Sequence, residues 1–264
     1  MKKFFNIVLA AIVSVFVTTT AVAQEATTKN EFDFKVDLTE ELSFFNLDNG
    51  TITEWNTNFT IGDVFENGTL DISLPIYNDP NTAQCGSELS WQLNNGVYGN
   101  SGVGVGDIGI KVKYADAFKL DKIAFDVVGG IKVPLDGAFS SSDVTPFVGL
   151  EFDIPVETFV VTESVVYNFV DNYTYNPLLG GFVDSDVLES TTTISYVVSD
   201  KVSVSANVNA VFADGQSAVV VGPSVKYSLN NRIEAHAGIG FAVVDDLDFD
   251  ELDSVVSFGI QFKF

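Results

Sequence analysis

The chain ends SVVSFGIQFKF, and from Val256 onward Val256, Phe258, Ile260, Phe262 and Phe264 are apolar while Ser257, Gly259, Gln261 and Lys263 are small or polar. A period of two is the signature of a strand with one face in an apolar medium and the other in a polar one. The pattern returns almost everywhere after residue 30. Phe32, Phe34, Val36 and Leu38 alternate with Glu31, Asp33, Lys35 and Asp37; Leu70, Ile72, Leu74 and Ile76 with Thr69, Asp71, Ser73 and Pro75. Ile108, Ile110, Val112 and Tyr114 stand against Asp107, Gly109, Lys111 and Lys113, and Val202 through Phe212 repeat the theme against Ser203, Ser205, Asn207 and Asn209.

Read this way the sequence predicts about twelve strands, near residues 31–40, 52–62, 67–77, 103–114, 121–134, 144–154, 157–170, 187–198, 201–213, 217–228, 231–243 and 253–264. Their connections alternate between long or acidic stretches, such as ELSFFNLDNGT and DNYTYNPLLGGFVDSD, and short ones, such as ENG, ADAFKL, PVE and NNR. An up-and-down sheet would gather the long connections at one end and the tight turns at the other. Strands of about 10–12 residues with that asymmetry predict an all-β, single up-and-down antiparallel transmembrane barrel of about twelve strands. A β-sandwich alternates too, but its strands average about 5–6 residues, and an apolar terminal strand would be left as an unprotected edge.

The N-terminus, MKKFFNIVLAAIVSVFVTTTAVAQ, has two lysines, an apolar stretch and Ala21-Val22-Ala23, the layout of a secretory signal peptide. Its apolar run is short of the roughly 20 residues of a spanning helix. Residues 1–23 are therefore expected to be removed, leaving 24–264 as the barrel domain. Loss of Lys2 and Lys3 leaves 11 basic against 36 acidic residues, a net charge of −25. So acidic a chain has no electrostatic footing on nucleic acid. The single cysteine, Cys85, excludes an intrachain disulfide framework and a thiolate metal cage.

With apolar faces turned to lipid, Asp33, Lys35, Asp37, Glu54, Asp71, Asp107, Lys111, Lys113, Asp126, Lys132, Glu151, Asp153, Lys226, Glu234, His236 and Lys263 are expected to line the lumen, since a lipid-facing lysine costs about 2–4 kcal/mol at the midplane. Asp245, Asp246, Asp248, Asp250, Glu251 and Asp253 crowd one outer loop; the spacing of an EF-hand is absent, and a solvated acidic loop is expected there. Gly104-x-Gly106-x-x-Gly109 matches a dinucleotide fingerprint only formally, because it runs into a strand and not a helix. Its glycines are read as easing curvature or leaving lumen space. His236 has no nucleophile elbow in the sequence to serve, so no catalytic role, cofactor or metal is expected.

The alternating C-terminus ending in Phe264 resembles the terminal-strand signal of bacterial outer-membrane proteins, which implies recognition of Val256, Phe258, Ile260, Phe262 and Phe264 by the barrel insertion machinery. Three segments, FENGTLDISLPIYND, GVGVGDIGIKVKYA and VVGGIKVPLDG, resemble successive strands of the outer-membrane proteins of the meta-pathway of phenol degradation, over roughly Gly62 to Gly137. Where that family has Pro-Thr-Gly, this chain has Pro134-Leu135-Asp136-Gly137. The resemblance implies a channel in the outer membrane of a Gram-negative bacterium, surrounded by lipid and passing small solutes, with small aromatic or hydrophobic compounds as the cargo. The rival expectation is a non-transporting structural or adhesive barrel with a plugged interior, its function in outer loops bearing Trp91, Tyr98, Tyr173 and Tyr175. Oligomeric state is not encoded in any feature of the sequence.

Overall fold

A computed structural model describes residues 35–48, 50–78, 103–120, 123–135, 139–141, 143–246 and 252–264. Asp33, Asp248, Asp250, Glu251, Trp91, Tyr98, Cys85 and the expected signal peptide lie outside those residues. The strands are β1 (Val36–Leu47), β2 (Gly50–Phe65), β3 (Gly68–Asn78), β4 (Val103–Val105), β5 (Ile108–Leu120), β6 (Ile123–Val133), β7 (Thr145–Val156), β8 (Phe159–Asn168), β9 (Thr174–Asn176), β10 (Gly181–Val183), β11 (Val187–Ser199), β12 (Val202–Ala213), β13 (Gln216–Asn230), β14 (Ile233–Asp246) and β15 (Leu252–Lys263).

β4 and β5 are two pieces of one rung, and β9 and β10 form a separate small hairpin, so twelve long antiparallel strands make the wall. Each pairs with its sequence neighbour along the wall, β8 with β11, and β1 closes the ring on β15 from Asp37↔Lys263 to Leu47↔Leu252. Closure answers why the chain can end on an apolar strand: its outer backbone edge is taken by β1, and Phe264 N–H donates to Val36 O at 2.9 Å. No edge is left to aggregate.

The connections at one end, 66–67, 121–122, 157–158, 200–201 and 231–232, are two residues each. At the opposite end 48–49 and 214–215 are equally short, whereas β3–β4, β6–β7 and β8–β11 are joined by long segments. The sequence-based boundaries fail at two places. ELSFFNL is strand, the second half of β1, not a long loop. Adjacent Glu40 and Glu41 interrupt the polarity alternation there, and the turn begins at Asp48. ADAFKL likewise continues β5 past a register shift between Tyr114 and Phe118, with Asp116 at φ 54°.

Two glycines show why the wall needs them. A Cβ on Gly222 would lie 1.9 Å from the Ile239 carbonyl oxygen, and one on Gly130 would lie 2.0 Å from that of Ile110. Both contacts are with backbone of the adjoining strand, which cannot swing aside.

Candidate functional site

Strand register decides which side chains share the interior. Lys132 on β6 reaches Glu189 on β11 at 3.6 Å although β7 and β8 separate them in the wall, a contact made through the lumen. From these two residues the inward face follows strand by strand. It holds Asp126 and Lys132 on β6, Glu151 and Asp153 on β7, Lys111 and Lys113 on β5, and Asp71 on β3. It also holds Glu54 on β2, Asp37 and Glu41 on β1, Lys263 on β15, Glu234 and His236 on β14, and Lys226 on β13.

One sector of the wall, β3 to β7, carries a ladder of alternating charge. Lys111 Nζ lies 3.0 Å from Glu151 Oε1 and 3.5 Å from Asp71 Oδ2, and Lys113 Nζ lies 3.4 Å from Glu151 Oε2 and 3.5 Å from Asp126 Oδ2. Every lysine bridges two carboxylates, so neighbouring strands are tied together while the desolvation of each charge is offset by a partner. These side chains keep between 15% and 33% of their surface accessible to water, although they sit between the two rims. The facing sector is neutral and hydroxyl- or amide-rich: Ser195 pairs with Ser205, and Asn207 bridges to Ser224 and to the Gly222 carbonyl. At the short-turn rim Glu234 holds Lys263 at 3.0 Å and Lys226 at 3.2 Å.

Three sequence expectations need correction or relocation. Lys35 precedes β1 and pairs with Asp63 at 3.5 Å, with 80% of its side chain exposed, so it belongs to the rim and not the lumen. Asp107 sits at the β4–β5 break, accepting from Ser140 Oγ at 2.7 Å and Ser141 N–H at 2.8 Å, where it anchors the β6–β7 connection. His236, on the inward face as expected, lies 3.9 Å from Glu41 with its ring packed over Gly259. In the acidic stretch Asp245 and Asp246 end β14 and Asp253 is in β15, so the connection proper is 247–251. The expected C-terminal residues Val256, Phe258, Ile260 and Phe262 share the outward face of β15, opposite Phe44, Leu42, Glu40 and Leu38.

The long-loop end is where the interior changes character. Segment 169–186 turns back into the barrel instead of rising from it. Its local code is Asn-Pro-Leu-Leu-Gly: Asn176 Oδ1 accepts from Leu178 and Leu179 N–H, Pro177 opens a 3₁₀ turn, and Gly180 closes it at φ 72°. β9 and β10 pair across that turn. Tyr175, Leu179 and Val183, all under 9% exposed, pack with Phe45, Ile52, Tyr77, Phe139, Val211 and Val220 into one apolar cluster across the mouth. Tyr175 stands edge-on to Tyr77, with centroids 4.7 Å apart, and to Phe139 at 4.9 Å. In the sequence Leu178, Leu179, Phe182 and Val183 were the available signal, since a solvated loop has no use for four large apolar residues in six.

Beneath this inward hairpin is a cavity of about 250 Å³ lined by rings of Phe45, Tyr77 and Tyr175, by Glu54, Glu189 and Lys132, and by Asn176 and Asn209. Glu189 is held by Lys132 at 3.6 Å and by Asn168 Nδ2 at 3.2 Å. Glu54 receives only the Tyr77 hydroxyl, at 3.5 Å, and has no ion-pair partner among the described residues. Glu189 and Glu41 were missed in the sequence, the first because it follows a stretch read as loop and the second because it sat in one.

No family model and no curated protein matches the chain. Among solved structures it is similar to an outer-membrane channel from Pseudomonas putida F1, at a TM-score of 0.58 and 8% identity over 88% of this chain and 95% of that one. It is also similar to the NanC porin, at a TM-score of 0.53 and 12% identity over 87% and 100% of the two chains. The KdgM porin in complex with disordered oligogalacturonate gives 0.50 and 11% over 87% and 99%. At such identities the likeness is one of fold: this chain is a closed twelve-stranded barrel, similar in fold to solved outer-membrane channels and porins.

Proposed function

We propose that the protein is a passive outer-membrane channel for small solutes, narrowed at its long-loop end by the 169–186 segment. The observation that carries this reading is the wet charged ladder: Lys111, Lys113, Asp71, Asp126 and Glu151 retain water-accessible surface deep inside a wall whose other face is apolar. A barrel of eight strands is filled by its own side chains, and one of 16–18 is an open pore; twelve strands leave a constricted path. Short turns face the periplasm and long connections the exterior, by the rule for such barrels. Outer-membrane lipid surrounds Phe258 and its neighbours, and the terminal β15 is the segment offered to the insertion machinery.

Among the described residues the inward carboxylates Asp37, Glu41, Glu54, Asp71, Asp126, Glu151, Asp153, Glu189 and Glu234 outnumber the inward lysines Lys111, Lys113, Lys132, Lys226 and Lys263 nine to five. Low-dielectric walls focus that field, so cations enter more readily than anions. The KdgM porin was solved in complex with disordered oligogalacturonate; the carboxylate excess of this lumen disfavours a polyanion and suits a different cargo. Aromatic rings at the chamber agree with small aromatic compounds as part of it. The rival reading is a closed barrel of structural or adhesive function, favoured by the apolar cluster across the mouth. Conductance of the refolded protein in a planar bilayer separates them: discrete openings support the channel, and a silent barrel supports the rival.

A further inference from the structure

Among the side chains of the chamber, charge and apolar surface are combined in one particular way. Two carboxylates, Glu54 and Glu189, face a single lysine, and Lys132 is already engaged with Glu189 at 3.6 Å. Glu54 is left with one long hydrogen bond from a neutral phenol. A carboxylate inside a barrel, removed from bulk water and without an ion pair of its own, is costly unless a proton or a cation neutralises it. The lining also carries the rings of Phe45, Tyr77 and Tyr175, whose negative faces attract the same sign of charge.

We propose that this chamber is a binding site for small organic cations, an ammonium group carrying an apolar or aromatic body, with Glu54 as the counter-ion and Tyr175 and Tyr77 as the ring walls. The inference rests on the channel reading and names the class of solute that dwells in the channel. Size agrees with charge. A space of about 250 Å³ accommodates a single-ring amine and not an oligosaccharide. Geometry agrees as well, because Tyr175 of the inward hairpin and Glu54 of the wall line the same space, so a solute held there meets both. The carboxylate excess along the lumen concentrates cations toward the chamber. A hydrated inorganic ion would gain the carboxylate but not the rings, and a neutral aromatic the rings but not the carboxylate.

The test uses the full-length mature protein refolded into planar bilayers, with benzyltrimethylammonium as the probe and benzoate and benzyl alcohol as controls, followed by calorimetric titration of the same probes in detergent. The expected result is a saturable block of the open current by benzyltrimethylammonium, at least tenfold stronger than by benzoate or benzyl alcohol. Glu54→Gln should weaken that block about tenfold. Tyr175→Leu, which alters the inward hairpin and not the wall, should weaken the quaternary ammonium without strengthening benzoate. Heat-modifiable mobility verifies that both variants are folded. A conducting channel that benzyltrimethylammonium does not block, or a block unchanged in Glu54→Gln and Tyr175→Leu, overturns the cation site and leaves the channel intact. A silent barrel overturns the channel reading instead, and calorimetry then decides the site: saturable uptake of the cation lost in Glu54→Gln sustains it, and no uptake overturns it.

Discussion

The indole nitrogen of Trp55 donates to the Glu40 carboxylate at 2.6 Å on the outward face of the barrel, where the register sets Glu40 between Thr57 and Ile260. Thr57 Oγ1 donates to the same carboxylate oxygen at 3.0 Å. A second outward carboxylate, Glu163 on β8, is braced in the same manner by Ser190 Oγ at 2.8 Å and Thr192 Oγ1 at 2.5 Å. β1 and β8 are six strands apart in a ring of twelve, so the two sites lie on opposite sides of the wall. Each acid on the lipid face carries donors from the adjoining strand, which substitute for the water that lipid does not supply.

Removing the donor should therefore hurt more than removing the acid. Trp55→Phe leaves Glu40 under-satisfied and is expected to lower stability by about 1–3 kcal/mol. Glu40→Leu removes the need for the donor and should be neutral or stabilising. Urea unfolding in lipid vesicles checks the pair; a Glu40→Leu variant less stable than Trp55→Phe would contradict the assignment of Glu40 to the lipid face.

Asp186 fastens the base of the inward hairpin. Its carboxylate accepts from the Tyr167 hydroxyl at 2.5 Å and from Val170 N–H at 2.8 Å, and these two bonds, the tyrosine's first, hold its pKa below the ordinary aspartate range. A depressed folded-state pKa means the clasp contributes fully above the ordinary aspartate range and is lost as pH falls through the lower folded value. The noise contributed by the hairpin should consequently stay constant from neutral to mildly acidic pH. Asp186→Asn should raise open-state noise or conductance at neutral pH by loosening the hairpin. Single-channel recording checks both, and a noise level unaffected by the substitution would separate Asp186 from the constriction.

Gly222→Ala places a methyl group 1.9 Å from the Ile239 carbonyl oxygen and 2.6 Å from Gly240 Cα. Overpacking against backbone costs about 1–3 kcal/mol or more. Slower refolding and a lower urea midpoint are expected. Gly181→Ala, with nothing within 4 Å of the added Cβ, serves as the silent control.

Lys111→Met removes the shared partner of Asp71 and Glu151. All three side chains are a third exposed or less, so the loss is expected at about 1–2 kcal/mol, below that of a dry buried pair. The same substitution adds a unit of negative charge to the path, and reversal potentials should move further toward cation selectivity. An unchanged reversal potential would place Lys111 off the permeation path.

The parts of the fold legible in the sequence are those where lipid and lumen impose opposite polarities on alternate residues, as in β15 and in β3 through β7. Reading failed where that rule is broken locally. β1 carries Glu40 outward and Phe45 inward, so its second half reads as loop. The inward faces of Asp71, Lys111, Lys113 and Glu151 follow from parity alone. The chamber does not: it depends on a connection folding into the barrel, which period-two reasoning cannot see, and on Tyr175 meeting Tyr77 nearly a hundred residues earlier in the chain. The turn chemistry of Asn176, Pro177 and Gly180 was local and readable, but its direction is set by the cluster it joins.

The central claim is that the interior is a wet, cation-preferring path constricted at one mouth. Reversal potentials of the refolded mature protein across a potassium chloride gradient test it most directly. The account predicts discrete openings of small conductance with cations preferred over anions, most clearly at low salt, because screening at about 1 M shortens the Debye length to roughly 3 Å. Replacing Asp245, Asp246, Asp248 and Asp250 with Asn should reduce that preference without abolishing it, since the lumen carboxylates remain. An anion-selective current, or a bilayer that stays silent with folded protein in it, would contradict the account.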